Sequence, residues 1–348
     1  MPRPKKPYMP TGRGALPDLP DARDFSYEAV FGAPVLTVEE WQTGYDVEKE
    51  FDIALKLEDQ GSSSSCVGQA ASKLFELKLI ERHGKDALTD YSSRFIYANV
   101  SLGLGVGAYI RDGMKFAADS GCADETTVPS YENGKPPSEA YMVRKDDITP
   151  EIYMLAKKVD VFNYRVISEA QQIDTIAHAI KTHKGLLIGF QGSNKGWATG
   201  IVRPPKLGEA VWGHAVIATR FGKDGIGKWV GGPNSWSAQW GILGGYWKAY
   251  EKDYFTVEAS QYVFNPWVYV WDTLVPDNQK AMDYIKQHEN KLVQNAATGE
   301  IGLIKGGEVL ITSPERAGLL ALTTLIRNGF GGGVADELWQ QFPTKKPF

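Results

Sequence analysis

The apolar residues of this chain change their spacing near its middle, and that change constrains the fold more than any composition figure. Val67, Ala70, Ala71, Leu74 and Leu77 recur at three- and four-residue intervals, the spacing of a buried helix that begins near Cys66. A second helical pattern runs over about 92–100, and a third, after glycines at 103, 105 and 107, over about 110–119. In the back half, 185–190, 215–221, 228–232 and 245–249 are short apolar runs bounded by glycine and read as strands. A helix-rich front and a strand-rich back predict an α+β fold of two lobes, with a cleft where they meet.

At 348 residues, 43% hydrophobic and 23% charged, the chain has the makings of an ordinary globular body and room for more than one domain. Prolines at 2, 4, 7, 10, 17 and 20 block helix and ladder pairing, so the first twenty or so residues read as an extended arm that wraps or dangles. Short apolar groups at 33–36 and 53–57 mark a lead-in segment. After about 277 the pattern restarts with a helical stretch at 281–288. Strand-like stretches at 302–304 and 309–311 follow around a Gly306-Gly307 turn, then a helix over 314–327 capped by Ser313. The expected division is 1–50 for arm and lead-in, 51–275 for the main domain, and 276–348 for a small C-terminal α+β accessory module that docks to a protein partner.

Lys and Arg number 38 against 42 Asp and Glu, so there is no overall basic field to gather nucleic acid or an anionic membrane. No apolar run of signal-peptide or membrane-spanning length appears, and the chain reads as cytoplasmic. Two cysteines do not make a disulfide framework, and Cys122 reads as a buried free thiol. His83, His178, His183 and His288 form no metal-ligand pattern, so neither metal nor cofactor is expected. Tryptophans crowd the stretch 212–247, the mark of an aromatic pocket or core.

Gly61 to Ser65 is a small-residue turn, and Cys66 opens the helix after it. A helix N-terminus favours a thiolate through its unpaired N–H groups and its dipole. On that segment alone, a cysteine beside Ser and Val reads equally well as a small buried hydrophobe. The wider constellation is more specific. Gln60-Gly61-Ser62-Ser63-Ser64-Ser65-Cys66 resembles the glutamine-to-cysteine segment of the papain family of cysteine peptidases. Trp212-Gly213-His214-Ala215-Val216 resembles the strand that carries that family's histidine, and Asn234-Ser235-Trp236-Ser237-Ala238-Gln239-Trp240-Gly241 resembles its Asn-Ser-Trp-Gly-x-x-Trp-Gly motif. His214 follows Cys66 by 148 residues and Asn234 by 168, against about 130 to 150 in the family; a longer loop at 222–227 takes up the excess. The resemblance covers about 60–250, with weaker echoes at 91–93 and 121–131.

The resemblance implies a papain-like two-lobed fold and a hydrolase of peptide or protein substrates. Cys66 would be the nucleophile and His214 the base and acid, with Asn234 orienting the imidazole. Gln60 and the Cys66 N–H would hold the oxyanion, and Trp236 would shelter the Asn–His bond. Gly107, Tyr109 and Trp236 are the expected substrate contacts. Taken alone, the glycines at 103, 105 and 107 read equally as a substrate-pairing strand or a flexible loop. Three departures stand out. Ser63 occupies the place of a family cysteine, so the associated disulfide cannot form, while Val67 replaces an aromatic residue and Ser237 a glycine. No long helical propeptide pattern precedes Gln60, so zymogen control of the family's ordinary kind is not expected. The rival reading is a catalytically dispensable binding or assembly protein on the same fold. A cell-wall amidase fits less well because of the Asn-Ser-Trp segment.

Overall fold

The computed structural model describes residues 14–19, 21, 24–157 and 162–270, together with 292–295, 301–305, 308–312, 330–334 and 345–347. The helices expected at 281–288 and 314–327 lie outside these residues. The chain divides into two compact units, Met1–Leu19 with Phe25–Val270, and Pro20–Asp24 with Trp271–Phe348.

In the first unit, β1 (Ala15–Leu16) is followed by α1 (Glu28–Phe31), α2 (Val38–Thr43), β2 (Tyr45–Asp46) and α3 (Val47–Phe51). Thr37 and Glu40 close a capping box at the start of α2, each side chain accepting the other residue's backbone N–H. The lead-in segment is thus folded, and Tyr27, Leu36 and Trp41 belong to the core of the strand-rich lobe.

The front lobe contains α4 (Cys66–His83), α5 (Ser93–Val100), β3 (Ala108–Tyr109), α6 (Ile110–Ser120), α7 (Glu139–Met142) and α8 (Pro150–Ala156). The buried helix that the sequence pattern predicts after Cys66 is α4, which is buried on every side from Cys66 to Ile80. Its charged residues tolerate this because they are paired. Lys73 Nζ lies 2.8 Å from Glu76 and 3.3 Å from Glu58, which answers its charge inside the protein.

The back lobe runs through β4 (Asn163–Val166), α9 (Ile173–His183), β5 (Leu186–Gly192), β6 (Ile201–Val202), β7 (Trp212–Ala218), β8 (Arg220–Lys223), β9 (Lys228–Pro233), β10 (Tyr246–Tyr250), α10 (Glu251–Tyr254) and β11 (Val263–Val270). Two sheets result, in the orders β4-β11-β5-β7 and β2-β8-β9-β10-β6. Of the crowded tryptophans, Trp236, Trp240 and Trp247 are core and join Trp197, Phe190 and Tyr254 in one buried cluster, while Trp212 packs half-buried against it. Strands β7, β8 and β9 follow one another closely, and β8 pairs antiparallel with β9. The chain therefore returns from His214, on β7, to Asn234 at the end of β9.

The second unit contains β12 (Leu292–Asn295), β13 (Ile301–Lys305), β14 (Glu308–Thr312), β15 (Phe330–Val334) and β16 (Lys345–Pro347), in the order β15-β12-β13-β14-β16. β13 and β14 pair antiparallel from Ile301↔Thr312 to Lys305↔Glu308, the hairpin that Gly306-Gly307 implies. Among the described residues, no helix is long and apolar enough to cross a membrane.

Candidate active site

Cys66 stands at the first position of α4, and Ser65 before it makes no side-chain cap to the first turn. The residue is fully buried. Burial pushes its thiol up to about 11, against the opposing pull of the backbone amides of Ala215, Gly14, Val67 and Ala15. The Ala215 amide places the sulfur beside the strand position that follows His214.

His214 Nε2 lies 2.8 Å from Asn234 Oδ1, with both residues buried. Asn234 Oδ1 also accepts the Ser235 N–H at 2.8 Å. An amide oxygen only accepts, so Nε2 carries the proton of that bond. Trp236 stacks on the imidazole with centroids 4.4 Å apart and planes at 27°, and Trp197 meets it edge-on at 5.5 Å. Trp236, expected among the substrate contacts, is fully buried beneath the imidazole. Ser237, in the place of the family's glycine, keeps a left-handed backbone with φ of 63°, so the turn conformation survives the change of residue.

Gln60 is fully buried between the two halves of the site. Its Oε1 accepts from Ser235 Oγ at 2.7 Å, its Nε2 donates to the Ser63 carbonyl at 2.8 Å, and its backbone N–H donates to the Ser235 carbonyl at 2.9 Å. Ser63 Oγ donates to the Gln60 carbonyl at 2.6 Å. The serine in the place of a family cysteine thus braces the loop from within. Glu139, to which nothing in the sequence spacing points, joins this loop to the glycine-rich one. Its carboxylate accepts from the Ser64 N–H, from the Gly105 N–H at 3.1 Å and from the Tyr97 hydroxyl at 2.7 Å.

The N-terminal arm, expected to wrap or dangle, lies against Cys66, which the Gly14 and Ala15 amides reach. Ala108 N–H donates to the Gly14 carbonyl at 2.8 Å, and β1 pairs in parallel with β3 through Ala15↔Ala108 and Leu16↔Tyr109. A Cβ on Gly107, whose φ is +96°, would stand 1.9 Å from the Gly14 oxygen, and one on Gly213 would stand 2.1 Å from the Ala15 oxygen. Only glycine admits this approach. Gly107 and Tyr109, expected at the substrate, therefore touch the arm. Further along, the Asp18 carboxylate accepts from Trp267 Nε1 at 2.8 Å and from the Arg111 N–H at 3.1 Å, in the first turn of α6. Burial raises the Asp18 carboxyl above its ordinary value, although these bonds pull the other way. Asp18, Gln69, Glu139 and Ser235 are the residues that sequence reasoning did not assign to the site. Of these, Ser235 lies inside a motif already singled out.

Among solved structures, the chain is similar to xylellain, a cysteine protease from Xylella fastidiosa, at 23% identity and a TM-score of 0.60; the match covers 77% of this chain and 98% of that one. It is similar to the digestive procathepsin L 3 of Tenebrio molitor larval midgut at 16% identity and a TM-score of 0.50, over 76% and 77% of the two chains. The proform of the ragweed pollen allergen Amb a 11, a cysteine protease, gives 18% identity and a TM-score of 0.50, over 71% and 72%. At such identities these likenesses speak for the fold. No curated protein sequence matches the chain. Residues 43–265 match the family model described as papain family cysteine protease, and on that match the chain belongs to the papain family.

Proposed function

We propose that the chain hydrolyses peptide bonds through an acyl-enzyme on Cys66, with residues 14–19 closing the cleft until they leave it. The observation that carries the reading is the buried His214–Asn234 pair, on the strand whose Ala215 amide reaches the sulfur of a cysteine at a helix N-terminus. His214 takes the thiol proton and later gives it to the leaving amine; Asn234 holds the ring in plane. The Cys66 N–H and the Gln60 amide receive the charge that develops on the carbonyl oxygen. Residues 276–348 stay outside the chemistry as an accessory module.

Burial pushes the Cys66 thiol up, which disfavours the thiolate that a nucleophile needs. That observation favours a second reading, in which the fold only binds. The two readings part when the arm is loosened. Asp18→Ala removes the acceptor for Trp267 and Arg111, and a thiol-directed epoxide should then label Cys66 about 10- to 100-fold faster than in the wild-type chain, the worth of charge-assisted hydrogen bonds. Cys122 should stay unlabelled, since burial holds its thiol well above the ordinary value and its Sγ faces the Ser92 carbonyl. Peptide mass spectrometry locates the label. Labelling confined to Cys122, or peptide turnover that persists in Cys66→Ala, sinks the assignment.

The pH dependence has a definite sign. Docking raises the carboxyl of Asp18, so docking takes up a proton. The hold is therefore strongest below the ordinary carboxyl value of about 4 and weakens as pH rises through the raised one. Wild-type turnover should gain on that of Asp18→Asn, which keeps an acceptor without the titration, as pH is raised through this window. A ratio that stays flat removes Asp18 from the control of the arm.

A further inference from the structure

Two polar atoms under the site are buried without a hydrogen-bond partner among the described residues: Gln69 Oε1, an acceptor, and Asn234 Nδ2, a donor. Each residue is only 3% exposed. Both line a cavity of about 20 Å³, shared with Glu58, Lys73, Ala215 and Ser235, which is room for one water molecule. An orphaned buried donor and an orphaned buried acceptor would each cost about 1–3 kcal/mol, so a bridging ligand there is strongly favoured.

The two atoms also mark the break in a chain of hydrogen bonds. Gln69 Nε2 donates to Ser65 Oγ at 3.4 Å, Ser65 Oγ lies 2.7 Å from Ser63 Oγ, and Ser63 Oγ donates to the Gln60 carbonyl at 2.6 Å. Ser235 Oγ donates to Gln60 Oε1 at 2.7 Å, and the Ser235 N–H donates to Asn234 Oδ1 at 2.8 Å. The run starts on the first turn of the helix that bears Cys66, passes the oxyanion glutamine, and ends on the residue that orients the base.

We propose that one water molecule binds between Asn234 Nδ2 and Gln69 Oε1 and closes this run into a ring, which makes Gln69 a positioning residue for His214. The water accepts from Asn234 and donates to Gln69. Its consequence is orientation: an Asn234 amide held by its nitrogen keeps Oδ1 on the imidazole, so a flipped amide, which would set a donor against the donor on Nε2, is disfavoured. The role of Gln69 rests on the peptidase reading above, whereas the water site does not.

The site is tested by a diffraction structure of the full chain at a resolution that orders buried water, determined for the wild type, for Gln69→Met, which conserves volume, and for Gln69→Glu, which keeps an acceptor. An ordered peak within hydrogen-bond distance of both atoms is expected in the wild type and in Gln69→Glu, and none bridging in Gln69→Met. Peptide turnover should show a fall in kcat of about tenfold in Gln69→Met with KM little changed, and recovery of most of that loss in Gln69→Glu. An empty site, or a direct Gln69–Asn234 bond, overturns the water. A wild-type kcat in Gln69→Met with the water gone overturns the positioning role. If the water is found in a wild-type chain that cleaves no peptide, the peptidase reading fails and the binding site stands.

Discussion

His214→Ala should lower kcat for peptide hydrolysis by about 10⁴-fold or more, because it removes both the acceptor of the thiol proton and the donor to the leaving amine. Asn234→Ala should cost less, since Asn234 moves no proton. Its Oδ1 fixes the imidazole through a single bond of 2.8 Å, and Trp236, stacked at 4.4 Å, still restrains the ring when that bond is lost. Steady-state kinetics of both variants, in the wild-type and the Asp18→Ala background alike, would order them. A larger loss in Asn234→Ala than in His214→Ala is incompatible with these roles.

Gln60→Ala should lower kcat by about 10²–10³-fold, the loss that follows removal of one oxyanion donor. The structure adds a cost that spacing alone does not show. Gln60 is also the partner of Ser235 Oγ and of the Ser63 carbonyl, so truncation leaves polar atoms without it and should destabilise the fold by about 1–3 kcal/mol. Gln60→Glu keeps the acceptor for Ser235 but sets a second, buried acceptor against the Ser63 carbonyl, so kcat should fall at least as far as in the alanine variant and thermal stability should fall with it. A wild-type rate in Gln60→Glu would take Gln60 out of the mechanism.

Cys66, His214 and Asn234 stand out in the sequence because each sits in a local pattern with its own physical signature. Cys66 opens a helix, His214 lies on a glycine-bounded apolar strand, and Asn234 follows Gly231-Gly232-Pro233. The elements behind them were legible for the same reason: α4, α5, α6, β5, β7, β9 and β10 lie close to where apolar spacing placed them. What escaped was what depends on distant pairing. α9 carries a helical stripe, Ile173, Ile176, Ala177 and Ile180, buried in the strand-rich lobe, but it stands among strand signals and was passed over. The ion pairs that let α4 bury Lys73, Glu76 and Lys78 are not announced by the spacing of those residues. Asp18 lies 93 positions before Arg111 and 249 before Trp267, and no local pattern announces either contact.

Glu139 carries a consequence for the medium in which the cleft can work. The two loops that it joins meet through a carboxylate and two backbone amides, where the family resemblance would lead one to look for sulfur on one of them. Cys66 and Cys122 are both free. The rim of the cleft is therefore assembled without an oxidant, and strong reductants have no bond in the site to open. They act on a single atom there, the sulfur of Cys66, and on that atom they only preserve the thiol from oxidation. A cleft built in this way keeps its shape across a range of redox potential that would unfasten a disulfide-braced one, and oxidative loss of activity would be confined to the nucleophile itself.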